Sequence, residues 1–471
     1  MLTIDHSGCL SDRAGAHGID PATIAPDSPA AHRAAEITDR LEASRGTGWE
    51  RWRLLAEPGG VREEHLAAVN GLADRCRGRC ENLVVLGIGG SGLGNTALQG
   101  ALNPATHNLL PADRRAGPRV FVLDNVDPAH FAAVMDACPP ENTLFNVISK
   151  SGETAETAAQ FMIVRDRLNR ALGDKAAEHV VAITDPEKGT MRSICDAEGY
   201  ATLPVPEGVG GRFSVLSPVG LFSAAMAGID TAALLDGAHD METRCRERAL
   251  HDNPAALLAT ALVYLGTGCY REGAAPKPNH VMMPYCNALY SCADWFRQLW
   301  AESLGKKHTL DGDEVFAGFT PIKALGATDQ HSQIQLYREG PNDKVICFLE
   351  VEDFGDDAGR VVMPGGLGAS ALSYLEGKPM ADLLAAEKRA TEYALAESDR
   401  PTLTIRFPRV DAEHAGAFVM LWQMATAYAG RMLHVDPYDQ PAVETGKKAT
   451  FGLMGRAGYE GWGEKVDRVL A

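Results

Sequence analysis

Three hydroxyl side chains and a lysine fall within six residues at Ser149-Lys150-Ser151-Gly152-Glu153-Thr154. Neutral donors beside one cation suit a phosphate ester. The run joins an apolar strand pattern, Thr143 to Ile148, to a long helical pattern from Thr154 to about Leu172. A helix start adds unpaired N–H groups and partial positive charge to such a loop. Capping alone needs one hydroxyl, as Ser151 would supply, so the surplus points to an anion. Glu153 suits the helix dipole but repels a phosphate unless its side chain points outward. A second loop, Gly87-Ile88-Gly89-Gly90-Ser91-Gly92, fits the G-x-G-x-x-G pattern of dinucleotide sites. That reading also needs an acidic residue about 20 positions on, closing the next strand. Here the next strand ends at Asp124, well beyond that distance. Ser91 favours hydroxyl donation to a small anion, and a tight turn that needs small residues is the structural alternative.

Four further side chains could do chemistry, but position alone leaves each open. Arg212 follows Gly208, Gly210 and Gly211, which let backbone approach a ligand, or it is a surface arginine after a turn. Glu302 lies near the end of a helical pattern stopped by Gly305 and by position alone reads more readily as a solvated helix-end carboxylate. His331 falls in the first turn of a helix that Thr328 could cap, where a structural donor is the commoner use. Lys447 falls about two turns into a helix with Pro441 at its first position, and beside Lys448 it reads as a solvated pair.

The elements that must position these groups alternate. Leu83 to Ile88, Arg119 to Asp124, Thr143 to Ile148, His179 to Thr184 and Ala201 to Val205 read as short buried strands, separated by helical stretches such as Pro128 to Ala137. The rhythm restarts after about residue 250, with helix Ala255 to Leu265, strand His280 to Pro284 and helix Asn287 to Leu304. Strands Val345 to Glu350 and Thr402 to Phe407 follow, then helix Ala412 to Gly430. Such alternation implies an α/β fold, with parallel sheets covered by helices on both faces. The length of 471 residues exceeds the roughly 250–300 at which one core stops growing, so two domains are expected. The expected divisions are an N-terminal extension 1–46 with a helix from Ala30 to Ser44, domains 47–222 and 223–435, and a C-terminal helical arm 436–471.

Composition excludes several classes. A net charge of −17 disfavours nucleic-acid or anionic-membrane partners, so a phosphorylated substrate would need a locally basic site. No apolar run approaches the roughly 20 residues of a membrane helix, and the first 20 residues lack a signal-peptide core. Ten scattered cysteines fit reduced thiols, and a cytoplasmic protein is the expectation. Cys76 and Cys80 lack the second pair that a zinc site would use, and no cluster has convincing metal-ligand spacing, so neither metal nor cofactor is expected.

The runs Val85–Gly94 and Ile148–Thr154 resemble the two sugar-phosphate loops of the glucose-6-phosphate isomerase family. Gly210-Gly211-Arg212-Phe213-Ser214, Ala301–Lys306, Thr328–Ser332 and Asp439–Lys447 are similar to further motifs of that family, and all six occur in its order. The resemblance implies two sugar isomerase (SIS) domains, each a mainly parallel sheet between helices. It also implies a homodimer whose site borrows a histidine from the neighbouring subunit, and a glycolytic and gluconeogenic aldose–ketose isomerase. On that resemblance Glu302 is the base, Arg212 stabilises the cis-enediolate, and His331 and Lys447 open the sugar ring. The negative helix end would make Glu302 a better base, against the pull of Lys306 and Lys307. Gly90, Ser91, Ser149, Lys150, Ser151, Thr154 and Gln440 would hold the sugar phosphate. The chain departs from the family in Glu153, where a small hydroxyl residue is common, and in residues 1–46. Two rivals in other classes are a SIS-type regulator that senses sugar phosphates without turnover and a nicotinamide dehydrogenase using Gly87–Gly92.

Overall fold

The computed structural model describes residues 1–471. In chain order the strands are β1 (Thr3–Asp5), β2 (Asn82–Leu86), β3 (Arg119–Leu123), β4 (Thr143–Ile148), β5 (Val180–Thr184) and β6 (Ala201–Pro204). They continue with β7 (Asn279–Pro284), β8 (Lys306–His308), β9 (Glu314–Ala317), β10 (Thr320–Lys323), β11 (Lys344–Asp353) and β12 (Thr402–Arg409). One five-stranded sheet has the order β3-β2-β4-β5-β6 and is parallel throughout. The strands at its centre are apolar at almost every position because helices cover both faces. Leu83 and Val85 of β2 enter one core, while Val84 and Leu86 enter a second on the other face. The order reverses direction between β2 and β4, which makes a crevice beyond their carboxyl ends. Both the glycine loop and the hydroxyl loop leave the chain there.

The second five-stranded sheet has the order β1-β12-β11-β7-β10. Its strands are parallel except for β1, which pairs antiparallel with β12 and places Ile4 opposite Ile405. The N-terminal residues thus build a sheet edge, anchored by the Asp5–Arg406 ion pair at 2.9 Å. Three residues are too short to show a period, so this strand was not expected. The neighbouring helix is Pro29–Ser44, one residue longer than expected, with Ser28 capping it and proline at its first position. Strand β11 outruns its apolar stretch because Arg409 pairs with Asp353 at its end.

Two local expectations are corrected. The last arm consists of helices Val443–Leu453 and Glu460–Leu470, none of whose residues is buried. Pro441 precedes the first of them by two residues, so Lys447 lies in the second turn. His331 is the last residue of a 3₁₀ turn, Thr328–His331, and Thr328 makes no capping bond. Asp329 holds that turn instead, accepting from Leu325 N and Ser332 Oγ. No helix is long and apolar enough to cross a membrane.

Candidate active site

Helix Tyr290–Leu304 follows β7 of the second sheet and ends against the loops of the first. Its apolar face (Trp295, Phe296, Leu299, Trp300) is buried, which directs Glu302 and Gln298 along the other side toward the glycine loop. Gln298 Nε2 donates to Glu302 Oε2 at 2.9 Å, and Glu302 Oε1 lies 3.3 Å from Arg212 Nη1. The Arg212 side chain is 2% exposed and that of Glu302 25%.

Arg212 sits in a 3₁₀ turn, Gly211–Phe213, and nearly all its donors are engaged. Nε donates to Ser303 Oγ at 2.7 Å, and Nη2 donates to the carbonyls of Pro437 (2.6 Å) and Asp439 (3.1 Å). Nη1 donates to Gln440 Oε1 at 2.9 Å. Burial pushes the guanidinium below its ordinary range, while Glu302 and Asp439 pull it back up. An arginine so embedded keeps its charge and one geometry. Gly90 lets the glycine loop reach this turn, since a Cβ there would lie 2.1 Å from the carbonyl carbon of Gly211. Sheet, turn and helix therefore meet backbone to backbone.

A cleft of about 420 Å³ opens beside the pair, lined by Lys150, Gly210, Gly211, Gln440, Glu444 and Trp49 among others. That volume suits a small polar ligand. Lys150 Nζ lies 5.4 Å from the centre of the Trp49 ring, and the Lys150 carbonyl is tied down by Thr184 Oγ1 and Asp185 N. The predicted hydroxyls divide. Ser149 is buried and its Oγ accepts from Gly152 N, a loop-shaping bond. Ser151 Oγ accepts from Glu153 N, which leaves its O–H free to donate. Thr154 precedes helix Ala155–Leu172 without a capping bond. The Ser91 carbonyl accepts from Asn95 Nδ2. Glu153 points outward, to Arg456 of the C-terminal arm at 2.9 Å, and that pairing lowers its pKa. The charge conflict read in the sequence is thereby relieved.

Lys150 and Gln440 thus line one cleft; Arg212 joins it through Gln440 and brings Glu302 with it, and Gly90 packs against the Gly211 that lines the cleft. His331 and Lys447 are not brought into it. His331 is exposed on its turn, and Lys447 is exposed and paired with Glu444, itself a lining residue, at 2.8 Å. Sequence reasoning missed Gln298, although its four-residue spacing from Glu302 puts both on one helix face. It missed Trp49 too, which carries no local signal. Lys306, read only as a neighbouring charge, is buried and bridges the Glu302 carbonyl (2.9 Å) and Asp439 Oδ1 (3.1 Å). Burial lowers its pKa.

The chain is similar in sequence and fold to known proteins. The family model described as phosphoglucose isomerase matches residues 71–454. A glucose-6-phosphate isomerase of Carboxydothermus hydrogenoformans is 45% identical over 409 residues, 87% of this chain and 85% of the relative. One from Rubrobacter xylanophilus is 44% identical, covering 90% and 94%. Among solved structures, a hypothetical protein from Thermus thermophilus superposes with a TM-score of 0.82 at 33% identity, covering 97% of this chain and 100% of that one. A glucose-6-phosphate isomerase from Chlamydia trachomatis, 22% identical, shares the fold with a TM-score of 0.77, covering 94% and 88%.

Proposed function

The chain belongs to the phosphoglucose isomerase family, and from that footing we propose that it interconverts glucose 6-phosphate and fructose 6-phosphate by moving a proton between C1 and C2. The observation that carries this reading is the Glu302–Arg212 pair: a carboxylate able to take a proton, 3.3 Å from a buried fixed cation whose partner Gln440 lines the same cleft as Lys150. Glu302 removes the C2 proton from the open-chain aldose, and the oxyanion of the resulting enediolate is stabilised by Arg212. Returning that proton to C1, while the O2 hydroxyl proton passes to O1, gives the ketose. Nη1 of Arg212 is the donor best able to turn to the oxyanion, since its neutral partner Gln440 is on an exposed segment. The sugar's phosphate is held by Lys150, Ser151 and Thr154, with Ser91 and Gly90 alongside.

The test is a coupled assay on fructose 6-phosphate in solvent labelled with deuterium, with chelator present. Turnover with label entering the C1/C2 positions is expected. A pure protein that binds the sugar phosphate without turnover would instead be a regulator, and a fluorescence change on NADH titration would revive the dehydrogenase. Within this reading, Lys150→Ala raises KM about tenfold through loss of one charge-assisted bond, with kcat little changed. An unaltered KM removes Lys150 from the phosphate site.

Ring opening is assigned to His331 and Lys447, and His331 is supplied by the partner subunit of a homodimer. Exposure of His331, away from its own chain's cleft, supports that assignment. Mixing inactive His331→Ala and Glu302→Gln subunits then restores activity, because each mixed dimer assembles one intact site. No recovery on mixing would mean sites built within one chain.

A further inference from the structure

A second cavity, of about 530 Å³, opens where β2, β3 and β4 begin, on the side of the sheet remote from the substrate cleft. The strands separate the two by roughly 17 Å. Arg77, Arg79 and Arg115 line it, with Glu81 as the acidic residue among the lining groups. Three arginines lining one cavity stand out in a chain of net charge −17. Part of that charge is engaged: Arg79 pairs with Glu178, and Arg77 donates to the Ala225 carbonyl at 2.6 Å with Asp74 3.7 Å away. The Arg115 side chain has neither a hydrogen-bond nor an ion-pair partner, and its Nε, like that of Arg77, is shielded from solvent and unsatisfied. The remaining Arg115 guanidinium donors have no acceptor within the chain, and a ligand with several acceptor oxygens would supply one.

The frame around these donors is rigid. Gly117 presses the Arg115 segment onto the end of helix Pro218–Met226, where a Cβ would lie 2.0 Å from the Met226 carbonyl oxygen. The same helix end holds Arg77 through Ala225. Glu81 N donates to the Asn142 carbonyl and Arg119 N to the Glu81 carbonyl, each at 2.8 Å, so the three strand starts are locked together. Arginines on such a frame offer forked donors at fixed positions, a geometry that matches phosphoryl oxygens.

We propose that this cavity is a second anion site, which binds the phosphoryl group of a small phosphorylated compound separately from the substrate cleft. Calorimetric titration with inorganic pyrophosphate tests it on the full-length protein, its Arg115→Ala and Arg115→Lys variants, and Lys150→Ala. Arg115→Ala weakens pyrophosphate binding about tenfold or more and Arg115→Lys weakens it less, while both keep wild-type melting temperature and isomerase activity. Lys150→Ala leaves this binding in place. Tighter binding of adenosine diphosphate than of pyrophosphate would identify a nucleotide as the natural source, and equal binding a simple phosphate. The proposal is overturned if wild-type protein takes up no pyrophosphate beyond what Lys150→Ala abolishes, or if Arg115→Ala binds it as wild type does.

Discussion

Glu302→Gln lowers kcat by about 10²–10⁴ with KM nearly unchanged. Glutamine is isosteric and can still meet Gln298 and Arg212, so the cleft keeps its shape while losing its proton acceptor. Only a contact needed in the transition state is removed, which is why the loss falls on kcat. Steady-state kinetics on fructose 6-phosphate measure it, and exchange of the C1/C2 hydrogens with solvent should fall in parallel. Turnover within a few-fold of wild type would end the assignment of Glu302 as base.

Arg212→Lys is the second large effect. Lysine keeps the charge but not the fork, so it cannot satisfy Ser303, the Pro437 and Asp439 carbonyls and Gln440 together. Loss of a preorganised donor to the oxyanion lowers kcat by about 10²–10³. Buried acceptors left unpaired also lower stability, by about 1–3 kcal/mol, readable in urea denaturation. The two measurements separate roles. Reduced stability with unchanged kcat would make Arg212 a strut that ties the first half of the chain to the 437–440 segment, and nothing more.

Much of the architecture was legible because it rests on local patterns. Continuous apolar runs such as Leu83–Leu86 and Val180–Ile183, each followed by turn residues and a helical pattern, read as strands covered on both faces, and capped helices such as Pro128–Ala137 carry their start in Asp127 and Pro128. What escaped was either too short or too distant. β1 is three residues long and exists because β12, almost 400 positions away, offers it an edge. The His331 turn was misread because the Thr328 spacing imitates a cap while Asp329 does the bonding. Lys447 was placed too deep because Pro441 precedes its helix by two residues.

The site divides along the same line. Residue types and spacing were enough to nominate the hydroxyl loop as an anion site, since it follows a strand and opens a helix. The carboxylate of Glu302 and the guanidinium of Arg212 were nominated by the resemblance of their motifs to the family. Their partnership was not. That Glu302 faces Arg212 at 3.3 Å, that Gln298 and Ser303 hold the two in place, and that Arg456 draws Glu153 outward are contacts between segments 90 to 303 positions apart or between helix neighbours with no outward sign of use. Local periodicity encodes which face of an element is apolar. It carries no information on which distant element that face will meet, because that depends on the packing of the whole core.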